Sequence, residues 1–423
     1  MKKYDLIVVG GGFAGFGAAV AAAREGVKTL LIERTNALSG AANTGLVMPF
    51  MPYRAVMGQD DEGKPIYKYL SEGIFKEIVD KLREAGRTNE NGTRFDNEYL
   101  KLIMNRMAVE AGVELLFNAT ICGAVREDNR IKSVTVVGRG QTLELEADYF
   151  IDATGDANLI SMTGFPFKVG REGDNLCQPM TLCFRMAGVD VEDFYKIYRK
   201  EMQERYFEWQ KAGKIRNPRE NILPFHTLID GVLHLNTTRV IKLDPTDMFD
   251  VTKAEIEARE QVFEMLEFFK TFDCCKNAQI VSSACEIGTR ESRMIDGEYI
   301  LTQEDLVNCV KFDDRIAAAN YDIDIHNPAG SDTSHYYFPD GTWYTIPYRC
   351  LVPLKADNLL VAGRCISSTH EAQASYRVMP IVTTLGQAAG IAAALAIKAG
   401  VAMRDVDVKA LQGIIEKDGG FIG

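Results

Sequence analysis

Residues 4–15, Tyr4-Asp5-Leu6-Ile7-Val8-Val9-Gly10-Gly11-Gly12-Phe13-Ala14-Gly15, decide the fold of this chain. The apolar run before Gly10 is typical of a strand buried on both faces. The glycines fit the pattern Gly-x-Gly-x-x-Gly, and alanines keep one face of the following helix small. A second apolar run, residues 27–32, ends at Glu33. Strand, glycine turn, small-faced helix and second strand in this order predict the first βαβ unit of a doubly wound parallel sheet.

The glycines and Glu33 of this unit each have a physical role in binding a dinucleotide. Gly10 permits the tight turn, Gly12 lets the backbone approach a pyrophosphate, and Gly15 lets the helix pack closely on the strand. The helix N-terminus offers N–H groups and a positive dipole end to phosphates. Glu33 can accept hydrogen bonds from a ribose, and with Arg34 beside it suits an unphosphorylated adenosine ribose.

Residues 6–23 form an uncharged run that also resembles a signal peptide or a short membrane span. Five of these residues are glycines, and each would weaken a membrane helix by roughly 1 kcal/mol. We therefore interpret the run as a buried strand, a turn and a buried helix.

The amino-acid composition limits the classes of protein to which the chain can belong. The chain has 423 residues, 46% hydrophobic and 25% charged, which is ordinary globular composition and excludes a wholly disordered or collagenous chain. The length predicts two or three structural units, at roughly 100–200 residues each. The formal net charge is −11. An acidic chain is poorly suited to nucleic acid or anionic membrane, so we expect neither as a partner.

The nine cysteines are odd in number and include no Cys-x-x-Cys pair. This pattern disfavours a structural zinc site, an iron–sulfur cluster and a disulfide framework. We expect no metal, reduced thiols and a cytoplasmic protein.

Two distant segments bear on which dinucleotide is bound. Residues 147–156 read as a buried strand that runs into Ala153-Thr154-Gly155, and residues 358–364 read as another that ends at Gly363-Arg364. Both resemble segments of the glutathione-reductase-like flavoproteins, where they close over the adenosine and meet the ribityl chain. Many of those proteins have Asp after the second Gly, whereas this chain has Arg364. Pro380 suits the first turn of a helix whose N-terminus can face the flavin.

Further motifs, in the same order along the chain, resemble the FAD-dependent oxidoreductase family. They are residues 236–240 (NTTRV), 287–295 (IGTRESRMI), 297–302 (GEYILT), 324–326 (DIH), 346–349 (IPYR), 361–367 (VAGRCIS) and 377–380 (RVMP). The resemblance runs from about residue 1 to about residue 415. It implies FAD as cofactor and an α/β fold: a Rossmann-like FAD-binding domain, with a doubly wound parallel sheet and a β-hairpin insertion, plus an inserted α+β substrate domain.

The resemblance also implies a discontinuous organisation. We assign residues 1–50, 95–175 and 345–405 to the FAD-binding domain and residues 176–344 to the substrate domain. Residues 51–94 are predicted to form a lid or loop, centred on 57–72, and a helix. Residues 406–423 are predicted to form a C-terminal tail helix.

The glycine pattern and the resemblance together give the expected cofactor contacts. These are Gly10, Gly12, Phe13, Ala14, Gly15, Glu33, Arg34, Gly40, Ala42, Asn43, Thr44, Ile121, Ala153, Thr154, Gly155, Gly363, Arg364, Met379 and Pro380.

Four residues are candidates for catalysis. His370 lies between the 358–364 strand and the helix expected to face the flavin, and His326 follows an alternating strand pattern. Either could move a proton; the alternative for His370 is a structural hydrogen bond to Glu371 or to backbone. Arg290 and Arg377 suit a carboxylate substrate or an anionic flavin, because arginine keeps its charge and binds carboxylates through two parallel hydrogen bonds. Their alternative is an ion pair with Glu291 or Glu286.

The sequence therefore predicts an FAD-dependent oxidoreductase that transfers a hydride between a small polar organic substrate and flavin N5. Dehydrogenation of a hydroxyl and reduction of an activated C=C bond fit this prediction equally well. The electron partner stays open among NAD(P)H, another flavoprotein and O2, and a homodimer is one open assembly. Two other classes are a flavin-dependent modifying enzyme of the tRNA type and an electron-carrying flavoprotein subunit.

Overall fold

The computed structural model describes residues 2–423. Its strands are β1 (Lys2–Val9), β2 (Thr29–Glu33), β3 (Arg54–Gln59), β4 (Pro65–Tyr69), β5 (Glu114–Phe117), β6 (Thr120–Glu127), β7 (Arg130–Gly138), β8 (Gln141–Asp152), β9 (Phe167–Val169), β10 (Phe184–Ala187), β11 (Pro224–His226), β12 (Val232–Leu235), β13 (Gln279–Ser283), β14 (Arg293–Ile295), β15 (Arg315–Ala319), β16 (Ile323–His326), β17 (Thr333–Tyr336), β18 (Tyr344–Pro347) and β19 (Leu359–Val361). Its α-helices are α1 (Phe13–Arg24), α2 (Ile74–Glu84), α3 (Asn97–Glu110), α4 (Asn158–Thr163), α5 (Val191–Ile197), α6 (Gln203–Lys211), α7 (Met248–Phe269), α8 (Gln303–Val307), α9 (His370–Tyr376), α10 (Met379–Ala399) and α11 (Val408–Lys417).

The largest sheet confirms the predicted fold class. Strands β5, β2, β1, β8 and β19 run parallel in that order, and β7 and β6 extend β8 in antiparallel pairing. The last residue of β1, Val9, pairs with Ile32 on one side and Asp152 on the other. The segments that follow β1, β2 and β8 therefore meet at one edge of the sheet, where ligands of open parallel sheets bind.

Helices α1 and α10 pack directly against each other, backbone to backbone. An added Cβ at Gly386 would lie 1.9 Å from the carbonyl oxygen of Ala14, and one at Gly390 would lie 2.1 Å from that of Ala18. Only glycine permits this approach. It packs the first turn of α1 against Gly386, the eighth residue of α10, and the two helices run in the same direction.

Gly386→Ala tests this packing. The added methyl group must push apart two buried helices, and overpacking of this kind costs about 1–3 kcal/mol. Chemical unfolding monitored by circular dichroism should give a lower midpoint than the parent protein. Gly413→Ala is the matched control, because Gly413 lies within α11 and an added Cβ there meets no atom within 4 Å. It should leave the midpoint unchanged or raise it, and equal midpoints for the two variants would contradict the tight contact.

Helix α10 is long and apolar enough to cross a membrane by length and composition alone. However, 89% of its most apolar window is buried inside the protein. It is packed in the interior, as the core helix of an α/β protein is.

A second layer covers the edge of the main sheet. Strands β11, β12, β10 and β13 form an antiparallel sheet, and one face of it packs with α7 in a separate core that includes Phe184, Met186, Leu233 and Leu235. Arg185 and His234 are paired in register on neighbouring strands and alternate with these core residues. They belong to the opposite face of the sheet, and the Arg185 guanidinium donates to the Asn97 side chain of the main-sheet layer.

Residues 57–72 and the C-terminal segment 406–423 lie at the periphery of the protein. Residues 57–72, expected to be a loop, are largely a hairpin of β3 and β4, and α2 follows it. The turn at residues 60–64 is closed by Asp60, whose side chain accepts the amide hydrogens of Glu62 and Lys64 at 2.9 and 2.8 Å. Helix α11 lies within the predicted tail segment.

Candidate functional site

The glycine turn leaves open space beside the N-terminus of α1. Gly12 is the N-cap of α1, which has no side-chain cap. An added Cβ at Gly12 would meet only the Cα of Gly40, at 3.8 Å. The backbone of Gly12 and that of Gly40 therefore border a site where a ligand can approach the uncapped N–H groups of the helix, as a pyrophosphate does.

Glu33 is buried at the end of β2. Its Oε2 accepts the amide hydrogen of Gly11 at 2.6 Å, and its Oε1 accepts from the amide and hydroxyl of Thr35 at 2.8 and 2.7 Å. The Glu33 carbonyl also accepts from the amide of Ala119, just before Ile121. The carboxylate is thus fixed at the strand end, with the predicted adenine segment beside it.

The Ala153-Thr154-Gly155 turn is held by a buried carboxylate. Asp152 accepts from the amide and hydroxyl of Thr154 at 3.1 and 2.7 Å and from the amide of Ile160 at 3.1 Å. Burial raises the pKa of Asp152 against the opposing effect of these hydrogen bonds. The turn abuts Gly10, whose added Cβ would lie 2.4 Å from the carbonyl oxygen of Ala153.

Two predicted cofactor arginines point their side chains at other protein groups. Arg364 donates from Nε to the carbonyl of Gly155 at 2.8 Å, and its other nitrogens donate to Asp156 and to the carbonyl of Thr289. Arg34 forms a two-bond ion pair with Glu286. Arg364 and Arg34 therefore connect the two layers of the protein, and their guanidinium groups are already engaged.

The remaining predicted cofactor residues surround the same edge. Gly40 and Ala42 form a 3₁₀ turn facing Gly12, and the Asn43 amide donates to the carbonyl of Ala37 at 3.3 Å. Thr44 follows this turn, Gly363 follows β19 and lies against Ala14, and Phe13, Ala14 and Gly15 open α1. Met379 and Pro380 open α10, which also lacks a side-chain cap. Both helix N-termini therefore offer N–H groups and a positive dipole end to anionic groups.

His370 is buried at the start of α9 and forms a dyad with Glu291. Its Nδ1 lies 2.8 Å from Oε1 of Glu291, a residue with no exposed surface. The other carboxylate oxygen accepts the amide hydrogen of Gln178 at 2.8 Å. A carboxylate can only accept, so the network assigns the proton of the neutral ring to Nδ1. Within residues 2–423, Nε2 of His370 has no hydrogen-bond partner and keeps its lone pair.

His326 occupies a different environment. Its Nδ1 lies 2.9 Å from a guanidinium nitrogen of Arg239, which must be the donor, and its Nε2 lies 3.4 Å from Oδ2 of Asp324. Burial, and next the charge of Arg290, hold the pKa of His326 well below its usual range. The imidazole is neutral at neutral pH, with both ring nitrogens facing charged partners.

Arg290 and Arg377 do not pair with Glu291 or Glu286. Arg290 donates to the carbonyl of Pro179 at 2.7 Å and to the hydroxyl of Thr181. Burial and then the charge of Arg377 lower the pKa of Arg290 to about 9. Arg377 lies 3.6 Å from Asp324.

One glutamine connects these groups. The amide of Gln178 donates to Glu291, its side-chain nitrogen donates to Gln373 at 3.0 Å, and Gln373 donates to the carbonyl of Arg290 at 2.7 Å. Gln178 Oε1 also accepts from the amide of His326 at 3.5 Å. The four predicted catalytic residues therefore belong to one buried polar network that begins beside α9 and α10.

Cys365 and an open cavity beside β9 are not part of this network. Cys365, beside the 358–364 strand, has no exposed surface, and burial raises the pKa of its thiol, which makes it a poor nucleophile. An open cavity of about 540 Å³ lies between β9 and residues 242–250, and its lining includes none of the predicted cofactor or catalytic residues.

Sequence reasoning missed several members of the network. Glu291 lies inside the IGTRESRMI motif but was considered only as an arginine partner. Gln178 and Arg219 lie in irregular segments without a periodic pattern. Only the pairing of distant segments places them beside His370 and His326, and no local signal marks them.

A comparison with protein-family models assigns the chain to one family. The family model described as FAD dependent oxidoreductase matches residues 5–415. A digeranylgeranylglycerophospholipid reductase of Thermoplasma volcanium is 24% identical over 208 residues, 46% of this chain and 50% of that protein. The tRNA uridine 5-carboxymethylaminomethyl modification enzyme of Geobacter sulfurreducens is 29% identical over 188 residues, 41% of this chain and 28% of that protein. The chain spans about half the length of the curated reductases it matches.

Among solved structures, a geranylgeranyl bacteriochlorophyll reductase-like protein of Thermoplasma acidophilum aligns with a TM-score of 0.46 and 13% identity, over 99% of this chain and 84% of that one. The p-nitrophenol 4-monooxygenase of Pseudomonas putida aligns with a TM-score of 0.46 and 11% identity, over 96% and 83%.

Proposed function

The chain belongs to the FAD-dependent oxidoreductase family, and from this premise we propose that it transfers a hydride between a small polar organic substrate and N5 of bound FAD. The His370–Glu291 dyad carries this proposal, because it provides a buried proton acceptor between β19 and α10. Dehydrogenation of a hydroxyl and reduction of an activated C=C bond use the same residues in opposite directions.

The residues at the sheet edge fit FAD. The N-terminus of α1 and the backbone of Gly12 and Gly40 would hold the pyrophosphate, and Glu33 would accept hydrogen bonds from the adenosine ribose. The N-terminus of α10 would stabilise negative charge on the ring edge, by roughly 0.3–2 kcal/mol. When bound, FAD supplies the hydride chemistry, and the protein supplies orientation and proton transfer.

His370 is the proposed general acid or base. With its Nδ1 proton donated to Glu291, the Nε2 lone pair can accept a proton from a substrate hydroxyl. The carboxylate of Glu291 orients the ring and stabilises the imidazolium that results. His326 is less suited to this role because its burial among arginines disfavours protonation. We propose that it positions Arg239 and Asp324.

The polarity of the site favours a small polar substrate over the lipid named for the curated reductases. An isoprenoid chain requires an apolar channel, whereas the network beside α9 consists of arginines, carboxylates and amides. A tRNA substrate, named for another relative, is disfavoured by the net charge of −11. The electron partner is proposed to be NAD(P)H, another flavoprotein or O2, in a cytoplasmic enzyme, with a homodimer as one possible assembly.

The test is an absorbance spectrum of the purified protein followed by anaerobic addition of NADH, NADPH and a panel of polar metabolites. We expect a flavin spectrum that a polar metabolite bleaches. Bleaching by a nicotinamide alone would assign the reductase direction. A flavin that no organic reductant bleaches would contradict the proposed hydride transfer.

A further inference from the structure

We propose that the substrate is a small dicarboxylate, held by Arg219, Arg239, Arg290 and Arg377, which we term the arginine cluster. This inference rests on the proposed function and names the substrate class of the same site. The four arginines come from separate segments of the chain. Arg239 lies 2.9 Å from His326 and Arg377 lies 3.6 Å from Asp324. The charges of Arg219 and Arg290 both act on His326.

The arginine cluster is buried to an unusual extent for charged side chains. Arg219 is 3% exposed and Arg239 is 1% exposed. The Arg377 side chain is 14% exposed. Arg290 is partly exposed, so solvent reaches one member of the cluster.

The cluster has more positive than negative charge. Its carboxylates are Glu220, 3.2 Å from Arg239, and Asp324, 3.6 Å from Arg377. His326 is neutral because its pKa is held well below its usual range by burial. Two guanidinium charges are therefore uncompensated within the cluster, and buried charges without counterions are costly. A ligand with two negative charges balances them.

Unpaired donors point to the same conclusion. Among residues 2–423, Nη1 of Arg219, Nε of Arg239 and Nε of Arg377 are buried without a hydrogen-bond partner. Buried polar groups in native proteins are almost always paired. The planar guanidinium matches a carboxylate through two parallel hydrogen bonds, so organic carboxylates are the anions we assign.

The arginine cluster connects to the proposed acid or base. Gln373, which lies on α9 with His370, donates to the carbonyl of Arg290. Gln178 donates from its side chain to Gln373 and from its backbone amide to the carboxylate of Glu291. A substrate anchored by its carboxylates on the arginines is thus held within the network that contains His370. Anchoring at both ends fixes the carbon skeleton between them, which is what oriented hydride transfer requires.

The first test uses the wild-type holoenzyme. Malonate, succinate and glutarate are titrated while the flavin absorbance is recorded, with butyrate and succinamide as one-charge and uncharged analogues. We expect saturable spectral change with at least one dicarboxylate, at least ~10-fold weaker binding of butyrate, and no binding of succinamide. Equal binding of succinamide, or no binding of any dicarboxylate, would overturn the assignment.

The second test uses Arg219→Gln, with Arg216→Gln as its matched control. Arg216 lies three residues away, is half exposed and pairs with Glu264 on the surface. We expect Arg219→Gln to weaken dicarboxylate binding at least ~10-fold while Arg216→Gln does not, with FAD content and unfolding midpoint measured for both.

An alternative role for the arginine cluster is to neutralise anionic reduced flavin. In that case Arg219→Gln would lower the flavin midpoint potential while the wild type bound no dicarboxylate, and the substrate assignment would be wrong. Failure of the proposed function has a different signature: dicarboxylates bind to the yellow protein, but no organic reductant bleaches it.

Discussion

Replacing Gly12 with leucine is expected to yield a folded protein that retains no FAD. In the protein alone, a Cβ at this position meets only the Cα of Gly40 at 3.8 Å, so the fold tolerates the substitution. The leucine side chain, however, fills the space through which a pyrophosphate must approach the N-terminus of α1. The measurement is the ratio of flavin to protein absorbance after purification and incubation with added FAD.

Two glycine substitutions separate this effect from misfolding. A Cβ at Gly15 would lie 1.8 Å from the carbonyl oxygen of Gly10, so Gly15→Ala should lower the unfolding midpoint as well as the flavin content. Gly413→Ala, on the outer helix α11, should change neither. Full flavin content in Gly12→Leu would show that the cofactor does not approach this turn, and the assignment of the glycine turn would be wrong.

The sequence alone predicts the part of the site that depends on local geometry. The turn at Gly10 to Gly15 and the acid at Glu33 are set by strand and helix periods and by short spacings, and the structure has β1, α1 and β2 where the pattern puts them. The same holds for Pro380 at the first turn of α10.

Side-chain partners were harder to predict, because they depend on how distant segments pack. For His370 the sequence offered Glu371 or backbone as the alternative to a role in proton transfer, whereas its partner Glu291 is 79 positions away in the chain. Arg364 was predicted to contact the cofactor. Its guanidinium donates hydrogen bonds to the Gly155 carbonyl and the Asp156 carboxylate, which no sequence pattern indicated. Arg219 became a candidate only when the fold showed it to be buried with an unpaired Nη1.

Replacing His370 with alanine is expected to leave FAD bound and to slow bleaching by the substrate at least ~100-fold, the usual size of a lost acid–base contribution. His370 lies on α9 and none of its bonds reaches the glycine turn, so cofactor retention should not depend on it. Anaerobic stopped-flow reduction, with the metabolite identified from the panel, gives the rate. Glu291→Gln keeps the shape of the partner but removes its charge. It should cause a smaller loss, because the ring is still present but the amide no longer stabilises the imidazolium.

His226→Ala is the control for removing an imidazole. His226 is an exposed histidine that stacks on Tyr195, and its loss should leave the rate of bleaching unchanged. If His370→Ala bleached as fast as the wild type, His370 would have no part in proton transfer, and the dyad would be structural. If Glu291→Gln lost as much rate as His370→Ala, the ring would be inactive without the carboxylate, and the two residues would act as one unit. A smaller loss would show that the ring transfers the proton by itself and that the charge of Glu291 only assists it.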